Sequence, residues 1–420
     1  MNAADTAWVL VSTALVLLMT PGLALFYGGM VSRKNVLSTF MHSVLSMGIS
    51  SLWWVTIGYS LAFGPGNAWL GDLSHLGLSG VGVEGDALRC LGDGGVLEPL
   101  VTNVPHLAFM AFQMMFAVIT PALISGAYAE RMKFSAYVLF TLGWLTLVYA
   151  PIAHWVWHPH GWIFKDGGLD FAGGLVVHAS SGVSALVAAL VIGRRRRIPP
   201  PHDLPMVLLG AGLLWFGWFG FNAGSALGAG GLAALALVNT HVAAAGAMVS
   251  WMLVEYWKHG KPTALGAASG LVAGLVVITP CAGFVGPMSA LLIGLLGGAA
   301  CFGGVLLKGR LGYDDALDAF GVHGIGGILG SLLLGVFASR IWNAAGQDGL
   351  LAGKADLLIA NLKGTTAGCL WAALATFILL KVLQRTVGLR VDEETEGDGL
   401  DQSIHGEKGY ADASSSRLPG

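Results

Sequence analysis

The sequence predicts an all-α polytopic membrane protein: eleven transmembrane helices, arranged as two inverted five-helix repeats followed by an eleventh helix. Three observations carry that reading. Of the 420 residues, 55% are hydrophobic and only 11% charged, under half the roughly 25% expected of a soluble domain, so too little polar side chain is present to cover a water-facing surface. Apolar runs of about 20 residues recur, each long enough to cross roughly 30 Å of hydrocarbon. A membrane β-barrel would instead alternate in segments of about ten residues. Finally, short basic loops fall at every second junction between the runs.

Taken in order, the spans are approximately 7–31, 38–63, 103–127, 134–153, 170–193, 205–223, 231–256, 264–282, 285–307, 316–338 and 357–385. The basic loops SRKN (32–35), ERMK (130–133), RRRR (194–197), YWKHGK (256–261) and KGR (308–310) follow spans 1, 3, 5, 7 and 9. The bias of Lys and Arg toward cytoplasmic loops then places the N-terminus outside and the C-terminus in the cytoplasm, and the expected location is the cell (inner) membrane. MNAADTAW lacks a basic n-region, so no signal peptide is expected. The loop at 64–100 is long and Gly-rich. Residues 1–387 form the membrane domain and 388–420 a cytoplasmic tail, acidic and polar from Val391, whose composition alone reads as disordered. The net charge of −2 is carried by loops and tail, and no basic footprint for nucleic acid is present. Cys90, Cys281, Cys301 and Cys369 form no CxxC pair or metal-ligand spacing and read as inert core thiols.

The repeat shows in short motifs. ITP occurs at 119–121 in span 3 and at 278–280 in span 8, and FYGG (26–29) in span 1 answers FNAG (221–224) in span 6. Five spans per half insert the second half upside down, a transporter arrangement with the substrate path at the interface of the halves. Many of the 63 glycines lie inside spans, where small residues let helices pack backbone to backbone.

Inside this apolar frame, DFAGGLVVHASSG (170–182) puts His178 eight residues beyond Asp170, roughly 12 Å deeper at 1.5 Å per residue. DALDAFGVHGIGG (315–327) brings His323 to a similar depth from the other side. Ionisable residues at the midplane usually face a bundle interior or a pathway. Packed helix residues, axial ligands of a bis-histidine haem and paired pore residues all remain open for these two. Asp170 fits first a cap on orphan helix amides, and second a support for an outer substrate site. FQMMF (112–116), HWVWHPHGW (154–162) and WFGWFGFNAGS (215–225) converge toward the outer face. Some of these rings only mark the membrane interface, but such a cluster also suits capture of a small cation by ring faces.

The motifs TPGLALFYGGMVSRKN, FQMMFAVIT, PIAHWVW, DFAGGLVVH, WFGWFGFNAGSA, ITPCAGFVGP and DAFGVHGIGG, in that order, resemble those of the ammonium transporter (Amt/MEP/Rh) family. The tail GLRVDEET…GLDQSIHGEKGYA resembles that family too, and the likeness spans all but the 64–100 loop. It implies a non-enzymatic transporter of ammonium and methylammonium without a cofactor or metal, a homotrimer with one pore per subunit, and a PII-type signal protein as cytoplasmic partner. By the same likeness Trp157, Phe116 and Ser225 form an outer ammonium site, with Phe112 lining its vestibule. Phe116 and Phe221 form a stacked gate, His178 and His323 line the pore, and Asp170 supports the outer site. Trp157 and Ser225 resemble the ammonium-transporter branch rather than the Rhesus-type branch. Two other readings compete with transport: a bis-histidine haem electron carrier and an ammonium sensor.

Overall fold

The computed structural model describes residues 1–84, 87–91 and 97–410. Among them, eleven helices form the multi-pass bundle: α1 (Ala3–Met30), α2 (Val36–Phe63), α3 (His106–Ala127), α4 (Phe134–Lys165), α5 (Gly174–Ile192), α6 (Leu204–Ala223), α7 (Gly231–His259), α8 (Ala264–Ile278), α9 (Pro287–Leu311), α10 (Phe320–Phe337) and α11 (Asp356–Thr386). Ten are long and apolar enough to cross a membrane. The exception, α8, has 15 residues and so reaches only about 22 Å. The long, Gly-rich segment between α2 and α3 contains an antiparallel pair, β1 (Ala87–Leu91) and β2 (Leu97–Val101), with Arg89 opposite Pro99.

The helices start and stop where local chemistry dictates, and four boundaries depart clearly from the apolar pattern. The α5 helix begins at Gly174 rather than 170, and α10 at Phe320 rather than 316, because each is led by an aspartate that stays in the loop and takes the first amides. The α8 helix stops at Ile278 instead of running to 282, since Pro280 cannot continue the ladder and the chain turns through Cys281 N–H to Ile278 O (2.8 Å) and Phe284 N–H to Cys281 O (2.8 Å). The α4 helix runs beyond 153 to Trp157, bends, and adds one short turn, Trp162–Lys165.

The two halves pack on each other through α1 along α6; within the second half α7 lies along α8 and α9, and α11 lies against α5. At the centre, α5 and α10 cross on glycine. A Cβ added to Gly182 would lie 2.1 Å from the Gly324 nitrogen, and one on Gly327 would lie 2.5 Å from the Ala179 nitrogen. Backbones that touch this closely tolerate no side chain there, and the contact brings the turns bearing His178 and His323 together. Both turns are π-helical, Gly174–Ala179 and Phe320–Gly324. A π-turn carries one residue more than an α-turn and re-aims the side chains within it.

The face carrying the basic loops is tied by buried charges. Arg195, its side chain 5% exposed, pairs with Glu130 (2.8 Å) and Asp314 (2.9 Å). Arg131 donates to the carbonyls of Ala127, Gly193 and Asp314. The tail, disordered by composition, is ordered against this face through residue 410. Asp401 accepts from the Leu37 and Ser38 amides at the start of α2 (3.1 and 2.8 Å), and the Leu400 amide donates to the Asn35 side chain (2.7 Å). The short α12 (Glu393–Asp398) is clasped by Arg390, which donates to Glu396 at 2.8 Å. Tertiary capping of this kind supplies the ordering that a polar composition cannot. Residues 411–420 of the proposed tail and the Cys90 side chain lie outside the described residues. Cys281 and Cys301 are buried free thiols and Cys369 is a half-buried one.

Candidate functional site

On the face opposite the basic loops, three of the predicted residues meet at a cavity of about 120 Å³: Phe116 and Phe112 from α3 and Trp157 from the end of α4, joined by Ser225 just past α6. The Trp157 indole is fixed by its N–H, which donates to the Asp170 carbonyl at 3.0 Å. The edge-on Phe116 ring lies 5.7 Å from it, and Phe112 packs edge-on against Phe116 at 5.0 Å. The Ser225 hydroxyl donates to the Phe221 carbonyl (2.8 Å), leaving oxygen lone pairs to accept from another donor. Ring faces and a hydroxyl acceptor suit a small cation carrying N–H bonds.

Beneath the cavity, the Phe116 and Phe221 rings lie 4.4 Å apart, both essentially without exposure to water (1% and 0%). The two rings are in contact, and a hydrated ion does not fit between rings at that separation. Below Phe221 comes His178, at 5.8 Å between centroids, and His178 in turn faces His323 with Nδ1 to Nδ1 at 3.3 Å. A contact between two imidazole nitrogens requires one N–H and one lone pair, so the pair shares a single proton between its Nδ1 atoms. The His178 Nε2 is buried without a hydrogen-bond partner among the described residues. A bis-histidine haem needs an iron and a porphyrin between the ligating nitrogens. The direct contact leaves room for neither.

Asp170 does what a capping carboxylate does, and completely. Its Oδ1 accepts from the Gly173 (2.8 Å) and Gly174 (2.7 Å) amides, its Oδ2 from Leu175 (2.8 Å) and Val176 (3.2 Å). Four amides that helix geometry leaves orphaned are satisfied by one side chain. The same residue's carbonyl holds Trp157, so one position joins the mouth to the histidine-bearing turn.

Two contributors escaped the sequence reading. Asp315 accepts from the Ala319 (3.1 Å) and Phe320 (2.7 Å) amides and caps the turn of His323 as Asp170 caps that of His178. The signal was present, since 178 − 170 and 323 − 315 are both eight. Trp218, grouped with the outer aromatic residues, instead lies deeper, stacked on His178 at 5.3 Å and anchored by its N–H to Thr279 Oγ1 at 2.9 Å. Of the tryptophans in HWVWHPHGW, only Trp157 lines the cavity, while Trp155 and Trp162 pack with Trp69, each 6.0 Å away.

Comparison with known proteins identifies the family. Residues 7–410 match the model of the Ammonium Transporter Family. The ammonium transporter of Bacillus subtilis is 51% identical over 416 residues, covering 98% of this chain and 100% of that protein. The ammonium transporter Amt1 of Archaeoglobus fulgidus is 44% identical, covering 98% and 100%. Among solved structures, Saccharomyces cerevisiae Mep2 superposes with a TM-score of 0.86 at 37% identity, covering 94% of this chain and 88% of that one. A sensor Amt protein superposes at 0.85 with 29% identity, covering 96% and 98%. With a family match over nearly the whole length and a relative 51% identical across 98% of the chain, the chain belongs to the ammonium transporter family, whose members are transporters rather than enzymes.

Proposed function

We propose that the chain captures ammonium at the aromatic cavity, strips it of a proton at or below the phenylalanine pair, and conducts ammonia past His178 and His323. The observation that carries this is the single column formed by Trp157, Phe116, Phe221, His178 and His323, each ring within 5.8 Å of the next. Trp157 and Phe116 attract the cation, Ser225 accepts one of its N–H bonds, and Phe112 lines the vestibule. Phe116 and Phe221 act as the gate, and Asp170 holds the mouth in shape.

Energetics favour the division. A charge at the bilayer centre costs from about 3 to over 10 kcal/mol. Deprotonating an amine about three pKa units above the pH costs only roughly 4 kcal/mol. Moving the neutral base is therefore easier than moving the cation. The released proton follows along the two imidazoles, each donor on one nitrogen and acceptor on the other, which makes transport electrogenic.

The basic face then lies in the cytoplasm of the cell (inner) membrane, the cavity opens outside, and three copies assemble with one pore each. The tail at 388–420 acts as a regulatory element for a PII-type signal protein. Truncation after Arg390 removes both Glu396 and Asp401, which dock the tail, and is expected to weaken binding and inhibition by such a protein at least about tenfold, a loss of roughly 1.4 kcal/mol. Binding unaffected by the cut would refute a regulatory tail.

Uptake of ammonium or methylammonium into vesicles tests the transport reading directly. Trp157→Leu removes the cation–π contribution of about 0.5–2 kcal/mol, so the half-saturating concentration should rise roughly tenfold, with a smaller change in maximum rate. An unchanged half-saturating concentration would mean that Trp157 does not bind the ion.

A further inference from the structure

The wall of the outer cavity contains a residue in a conformation that its side chain disfavours. Leu227 lines the cavity with Trp157, Phe116 and Ser225, and it is the only aliphatic side chain among the described residues that do so. Its φ is +53°, in the left-handed region that glycine occupies freely and a leucine does not. Glycines stand close by in AGSALGAGG (223–231), yet the left-handed position is taken by leucine.

That conformation is enforced from outside the turn. The Asn103 side chain donates to the Leu227 carbonyl at 2.5 Å and to Asp5 Oδ2 at 3.1 Å. Asp5 Oδ1 accepts from the Ala229 amide at 2.8 Å, and the Asn2 amide donates to the Asn103 carbonyl at 2.7 Å. The Leu227 amide itself donates to the Gly224 carbonyl at 2.9 Å. The N-terminus of α1 and the segment before α3 thus clamp both sides of one strained residue. A non-glycine residue persists at such a dihedral only where its surroundings over-determine it, which is characteristic of functional sites.

We propose that Leu227 is a specificity-determining residue, a steric filter that holds a branched aliphatic group over the cavity and disfavours alkylated ammonium ions. This rests on the transport reading above and names the discrimination made at that same site. Ammonium presents only N–H bonds, which ring faces and the Ser225 hydroxyl accommodate. An alkylammonium ion brings carbon that needs additional room, and the free cavity beside the Leu227 side chain that lines it is only about 120 Å³.

The test is the ratio of ethylammonium to ammonium transport in vesicles carrying the full chain. Leu227→Ala removes most of the side chain, and Leu227→Gly also removes the strain. Both should raise the ratio about tenfold, within the 10–200-fold range that one methylene typically controls in a pocket. Leu227→Met, similar in volume, should keep the ratio near that of the unaltered protein, and Leu227→Phe should lower it. A purely structural residue would change all rates together and leave the ratio in place. A ratio unchanged in both the Ala and Gly variants overturns the filter, as does loss of all amine transport in both. Absence of ammonium transport by the unaltered protein would instead overturn the transport reading.

Discussion

Asp170→Ala should abolish transport, with ammonium uptake falling at least about a hundredfold. The carboxylate satisfies four backbone amides at 2.7–3.2 Å. Hydrogen bonds to a charged acceptor contribute about 1.5–3 kcal/mol each, and buried donors left unpaired add a further penalty. Even with strong non-additivity, several kcal/mol of local stability are lost. The affected turn carries His178, and the Asp170 carbonyl holds Trp157, so both the pore and the mouth shift. Asp170→Asn should rescue little, because its one carbonyl oxygen can serve two of the amides while its NH₂ group opposes the other two. Thermal unfolding of the purified protein, read beside vesicle uptake, separates local from global damage. Wild-type transport by the Asn variant would show that the negative charge is dispensable and the capping argument wrong.

Replacing both His178 and His323 with leucine should reduce ammonium-evoked current at least about tenfold while the protein still inserts in the membrane. The Nδ1 atoms lie 3.3 Å apart, and the His178 Nε2 is buried without a hydrogen-bond partner among the described residues. Without imidazoles the column is apolar from Phe221 downward, and a proton has no acceptor to occupy. An isolated charge there faces the full bilayer cost of about 3 to over 10 kcal/mol. Each single replacement should also lower the current, since the shared proton needs both nitrogens. Solid-supported membrane recording measures this directly. Undiminished currents in the double variant would exclude the histidine pair as the proton route.

Much of this protein was legible from sequence because a bilayer is a demanding solvent. Eleven apolar runs, basic loops at alternate junctions and two histidines at matching depths follow from what lipid permits, and the helices match that pattern in number and order. The capping role expected of Asp170 is what the structure displays. Asp315 was equally readable, from the same eight-residue spacing to a histidine. The tail was not, because composition reports only the apolar surface a segment can bury by itself. It says nothing of amides elsewhere that Asp401 is placed to cap.

Sequence by itself determined the class of the protein, the span order, the family and the residue types at the site. Hydrocarbon excludes unpaired polar groups, so each exception in the apolar pattern is informative one residue at a time. Tertiary structure alone decided how those residues meet. The π-turns that aim His178 and His323, the glycine crossing that brings α5 and α10 into contact, the placement of Trp218 behind the histidine and the left-handed Leu227 all depend on contacts between residues distant along the chain. Close packing sets such geometry to within fractions of an ångström, and periodicity along one helix carries no record of the surface it will meet.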